Sequence, residues 1–154
     1  MFVAANSLNE LVLEYLSRRN DSQILVAPRN SVPDPYLGQG SHPEVVERVW
    51  DQIGSALPLD CRCLVYGTPA LVQPISGVIL AFCLGMAYCL RLTPDLLKRA
   101  LMLGANTSTK WSNGTVLDAT LTFGPDWIFG GWRKEVEWCH KTFDAFNERL
   151  LSDT

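Results

Sequence analysis

At 154 residues, 47% of them apolar and 19% charged, the chain is long enough for one domain with its own core and too short for two. A net charge of −3 with no run of Lys and Arg excludes an obvious nucleic-acid binder, because phosphate recognition needs a basic face. The uncharged residues Gly77–Leu90 of the most apolar stretch fall short of the roughly 20 residues that a membrane-spanning helix requires.

The first residues, MFVAANSLNELVLEYL, lack a basic start and a clean apolar segment before a cleavage site, so no export signal is expected. The five cysteines are an odd number and cannot complete a disulfide framework within one chain. Reduced thiols in the cytoplasm are the natural expectation, and the Asn-x-Ser/Thr triplets at Asn20, Asn106 and Asn113 are then chance matches.

Ser7-Leu8-Asn9-Glu10 fits a capping box, and Leu8, Leu11, Val12, Tyr15 and Leu16 follow at spacings of three and four. This predicts a helix over Leu8–Arg18. Ser22–Ala27 is a short β-prone run stopped by Pro28, and Arg29–Gly40 is a Pro- and Gly-rich loop. A second capping box, Ser41-His42-Pro43-Glu44, opens a helix over Pro43–Ala56 with Val46, Val49, Trp50 and Ile53 on one stripe. Pro58 follows, then a strand over Cys61–Tyr66, a bend at Gly67-Thr68-Pro69 and extended chain at Ala70–Val72.

The most apolar stretch comes next. It reads as two buried strands, Val78–Cys83 and Met86–Leu92, turning at Leu84-Gly85. Thr93-Pro94-Asp95 opens a third helix that stops at Gly104. Ala105–Thr109 reads as a loop and Ser112-Asn113-Gly114 as a turn. From Val116 to Phe123, apolar Leu117, Ala119, Leu121 and Phe123 alternate with more polar positions, which predicts a half-exposed antiparallel strand. Trp127–Phe129 gives a last short strand. Trp132, Val136, Cys139, Phe143, Phe146 and Leu150 mark the stripe of a closing helix.

The order is α-β-α-β-β-β-α-β-(β)-α. It predicts an α+β domain over residues 1–154, with a mainly antiparallel twisted sheet of about four to six strands and helices against one face.

Few residues carry obvious chemistry. There is no Gly-rich phosphate loop, G-x-S-x-G or H-E-x-x-H. Cys61, Cys63, Cys83 and Cys89 sit in apolar strand sequence, where Cys packs as a small hydrophobe; the Cys61–Cys63 spacing is short for a structural zinc site, so no metal is expected. His42 lies at the start of the second helix. His140 has Glu137 and Asp144 three and four positions away, which suits a surface ion pair. Asp118 and Asp126 bracket an aromatic segment, but Asp126 stands in a Gly-Pro-Asp turn where Asp is expected. Arg91 ends the central strand and is expected to emerge into solvent or pair with a carboxylate.

The best contact candidate is that segment, Phe123–Trp132, together with Trp138, which lies off the buried stripe of the last helix. Trp127, Phe129, Trp132, Trp138, Asp126, Arg91 and His42 are therefore the candidate contact residues. The expected role is non-enzymatic binding through protein–protein contact, including self-association as a homodimer, with no cofactor. The alternative is a small-molecule sensor or enzyme with its pocket between the 29–40 loop and the 124–132 segment.

Overall fold

The computed structural model describes residues 7–19, 25–29, 42–111 and 113–152, the last six of them by backbone alone. After a 3-10 turn at Ser7–Asn9 comes α1 (Glu10–Arg19), then β1 (Val26–Pro28) and α2 (Pro43–Glu47). The α2 helix continues without a break into a π turn, Arg48–Gln52, and a 3-10 turn, Ile53–Ala56. β2 (Arg62–Val65), β3 (Thr68–Val72), β4 (Ile79–Leu84) and β5 (Ala87–Arg91) follow in succession. The chain ends with α3 (Pro94–Met102), β6 (Ser108–Lys110), β7 (Val116–Asp118), α4 (Ala119–Thr122), β8 (Trp127–Phe129) and α5 (Glu135–Ser152).

Six strands form one sheet in the order β1-β2-β3-β4-β5-β8, every neighbouring pair antiparallel. Tight turns dictate this order. Leu84 pairs with Ala87 across a two-residue turn, and Gly85 supplies the positive φ of 68° that such a hairpin needs. Every residue of β3 and β4 is buried, which is why this stretch reads as continuously apolar rather than alternating.

Helices cover both faces of the sheet, not one as the element order suggested. On the first face, Val46, Val49, Trp50 and Ile53 of the α2 segment join Leu96 and Ala100 of α3 and Trp138 and Phe146 of α5 over Leu71, Leu80 and Leu90. On the second face, Val12 and Leu16 of α1 and Ala119 of α4 pack with Ala70, Ile79, Phe82, Phe123 and Trp127.

β4 carries a bulge. Leu71 pairs with Ala81 but Val72 pairs with Ile79, so Leu80 is the extra residue. The consecutive Leu80 and Ala81 consequently both join the first core, while Ile79 and Phe82 face the second.

The sequence reading fails in definable places. The alternation over 116–123 is strand only as far as Asp118. There the Asp118 carboxylate accepts hydrogen bonds from Thr120 N at 2.9 Å and Leu121 N at 3.3 Å, capping α4 and ending the strand. Leu121 is therefore 81% exposed rather than inward. Part of the expected 105–109 loop is β6, paired with β7 from Ser108↔Asp118 to Lys110↔Val116. The cap of α2 is His42, whose Nδ1 accepts from Glu44 N at 3.1 Å; Ser41, expected in that role, lies outside the described residues, as do residues 22–24 of the expected first strand and most of the 29–40 loop.

Gly130 is required by packing. A Cβ there would sit 1.8 Å from Cε2 of Tyr88, inside its ring. Gly130→Ala is expected to destabilise the fold by about 3 kcal/mol in urea unfolding, the scale of overpacking a tight core. Adding Tyr88→Val should recover part of that loss, and a double-mutant cycle reads the coupling directly.

Candidate functional site

The structure divides the seven nominated contact residues between the two faces. Trp127 and Phe129 are buried in the second core, where Trp127 packs edge-on against Phe82 with ring centroids 5.0 Å apart. Trp132 and Trp138 are buried in the first core, their ring centroids 5.6 Å apart. Trp132 donates through Nε1 to Phe129 O at 3.0 Å, and the Arg99 guanidinium of α3 lies 5.2 Å from the Trp138 ring. The neighbour that the off-stripe Trp138 requires is thus another element of the same chain. His42 works as the cap of α2, its own N–H donating to Gly85 O at 3.0 Å.

Arg91 does not emerge into solvent. It is 2% exposed. Its Nε donates to Ile79 O at 2.8 Å and its Nη2 to Leu8 O at 2.9 Å, while the guanidinium lies 4.7 Å from the Trp127 ring. Burial lowers its pKa to about 10, opposed by the nearby Asp126, so it stays charged at neutral pH. Buried Asn9 completes this cluster: its side chain donates to Gly77 O at 2.6 Å and accepts from Ile79 N at 2.9 Å. Arg91 and Asp126 also line a cleft of about 220 Å³ with Ser7, Glu10, Leu11 and Pro125.

A second polar cluster escaped the sequence reading. Glu135 is wholly buried and its carboxylate accepts four hydrogen bonds: from Tyr88 OH at 2.8 Å, Gly131 N at 2.8 Å, Arg48 Nε at 2.7 Å, and Arg48 Nη2. Burial pushes the Tyr88 phenol up to about 12. With four donors on its two oxygens, Glu135 is a tie between α5, β5 and the π turn rather than a proton-transfer group.

Three clefts lie along α1. A cleft of about 530 Å³ is lined, among the described residues, by Leu11, Glu14, Tyr15, Arg18, Arg19 and Thr122. It shares Leu11 with the Arg91 cleft, and it shares Tyr15 and Arg19 with a third cleft of about 350 Å³ lined also by Leu84, Gly85, Met86 and Trp111. The three together form a groove that follows α1 from Ser7 to Arg19. Its apolar rim is exposed, with Leu11 at 44% and Met86 at 71%. Arg18 is held by Glu14 at 2.6 Å, whereas Arg19 Nη1 is buried with no hydrogen-bond partner.

One sign of this groove is legible in the sequence. The stripe Leu8, Leu11, Val12, Tyr15, Leu16 is too wide for one buried face, and Val12 and Leu16 alone among these are fully buried.

The thiols pack as expected. Burial pushes Cys61, Cys83 and Cys139 up to about 12, Cys89 well above its ordinary value, and the half-buried Cys63 upward. Among the described residues no group of three or more His, Cys, Asp or Glu converges on a metal-sized site, and no helix is long and apolar enough to cross a membrane. Compared with family models, with curated proteins and with solved structures, the chain matches none.

Two outcomes follow from these geometries. Arg91→Met leaves Ile79 O and Leu8 O without their donors, and urea unfolding should show a loss of about 2–4 kcal/mol, with Arg91→Lys restoring only part because an ammonium lacks the planar fork. Iodoacetamide at pH 8, read by intact mass, should modify Cys63 first and slowly in the folded protein, and all five cysteines once urea unfolds it.

Proposed function

We propose that the protein is a non-enzymatic binding module that works by contact with another protein, and that the α1 groove is its contact surface. The carrying observation is the groove itself: it holds exposed Leu11 and Met86 beside Tyr15 and Trp111, and the strongly exposed Leu121 adjoins Thr122 on its wall. Aromatic, Met and Arg side chains around an apolar floor are the composition of protein interfaces. A clustered apolar surface asks for a partner where a scattered one does not.

Self-association drew its first support from the tryptophans. With Trp127, Trp132 and Trp138 buried inside the chain, that support is gone, and a different protein is the better partner. We place the module in the cytoplasm, where five free thiols remain reduced. A small-molecule role draws on the cleft that Arg91 shares with Asp126. Arg91 there already spends two donors on the backbone.

The test is selection from a random-peptide display library on the folded protein, with Leu11→Glu as the groove variant. Peptides that bind the parent and lose at least tenfold on Leu11→Glu, with the urea midpoint unchanged, support the groove. Peptides indifferent to Leu11→Glu would move the contact elsewhere and overturn the reading. Native mass spectrometry of the parent should give a monomer; a dimer abolished by Leu11→Glu would make the partner a second copy instead.

A further inference from the structure

We propose that Asn113 is a site of spontaneous deamidation in the folded protein, the Gly114 backbone nitrogen attacking its side-chain amide and leaving an isoaspartyl residue in the β6–β7 turn.

The reaction needs an asparagine whose successor puts no side chain in the way of its own nitrogen. Asn113 is the one asparagine of the chain followed by glycine. The fold widens the difference. Asn9 is buried, and both ends of its amide are held, by Gly77 O and Ile79 N. Asn106 is exposed, but β-branched Thr107 follows it and crowds the nitrogen that would attack. Asn113 and Gly114 are both exposed at the tip of the β6–β7 hairpin. The space beside Gly114 is open, with no atom beyond its chain neighbours within 4 Å of where a Cβ would stand.

The turn also prepares the electrophile. Thr115 N–H donates to Asn113 Oδ1 at 2.9 Å. That oxygen gathers negative charge when a nucleophile adds to the amide carbon, and a donor already aimed at it stabilises the charge as it develops. One bond opposes the attack, since Gly114 N–H donates to Trp111 O at 2.9 Å. At an exposed turn water replaces that partner at little net cost.

Hydroxide takes the Gly114 amide proton, and the nitrogen bonds to Cγ of Asn113. The Cγ–Nδ2 bond then breaks, and the amide nitrogen picks up a proton and leaves as ammonia. Water opens the resulting cyclic succinimide at either carbonyl. Opening at Cγ gives aspartate, and opening at the main-chain carbon gives isoaspartate, whose backbone runs through the side chain. Nothing is oxidised or reduced, and water is the only co-reactant. The isoaspartyl form adds a backbone carbon to a turn that Trp111 N–H closes on Thr115 O at 2.8 Å, and this turn seats Trp111 on the wall of the cleft beside Tyr15 and Met86.

The test holds the full folded chain at pH 8.5 and 37 °C in water enriched in oxygen-18, followed by tryptic mapping. Peptide 111–133 should turn from amide to acid faster than peptide 100–110, which carries Asn106, by about tenfold or more. It should gain solvent oxygen and split into two species of equal mass, the isoaspartyl one in excess. The rate should rise from pH 7 to pH 9, because base is a reactant. Asn113→Gln, which needs a larger ring, should leave that peptide unchanged. Acid appearing first at another asparagine would overturn the assignment. Aspartate without isoaspartate would mean direct hydrolysis and remove Gly114 as the nucleophile. Conversion that begins only in urea would show that the turn protects the amide, which overturns the proposal equally.

Discussion

The backbone of Ile79 sets the constraint on which the second face depends. Ile79 pairs with Val72 beyond the bulge at Leu80, in the middle of the sheet, where its buried N–H and C=O must find partners. Asn9 serves the first and Arg91 the second. Both partners are side chains and not backbone groups of the ladder. Asn9 stands just ahead of α1, and Arg91 Nη2 reaches back to Leu8 O, so the bonds that complete the bulged strand also fix where α1 begins. Because the groove follows α1, its wall is anchored at the same point. Burying a guanidinium is tolerable here because two carbonyls, an indole face and the nearby Asp126 share its charge.

The first face has a counterpart of opposite sign. Glu135 begins α5, where the helix dipole favours an anion, and it is held by donors from three other elements. Gly130 makes the arrangement possible, since its missing side chain is the space that the Tyr88 ring occupies. Each face thus has one buried ionic tie reaching from a sheet strand to the helix that covers it. Arg91 and Glu135 mark these places.

The sequence carried the elements better than their environment. The apolar hairpin, the long helical stripes and the short spacers were enough for an antiparallel α+β fold, because periodicity and turn residues are local properties. Arg91 was misplaced because a bulge in the preceding strand leaves no mark on the residue that repairs it. Asp118 was misread because a cap and a polar strand position look alike until the next residues turn. The tryptophans were read as contacts on account of their number, yet which face they meet is a tertiary fact. The groove was legible only as an over-wide stripe on the first helix; the partners that shape it, Met86, Trp111 and Thr122, lie on three other segments.

The groove falls where it does because the two faces are covered unequally. The first face carries the α2 segment, α3 and the eighteen-residue α5. Among the described residues the second carries α1, of ten residues, and α4, of four, which is a single turn. The strand residues of the second face are buried all the same, from Val65 and Ala70 to Ile79 and Phe82, so what stays exposed is the outer side of this thin layer, at Leu11, Leu121 and the hairpin's Met86. The clefts along α1 lie outside the sheet's core, against the helix and the β4–β5 turn, and not between α1 and the strands it covers.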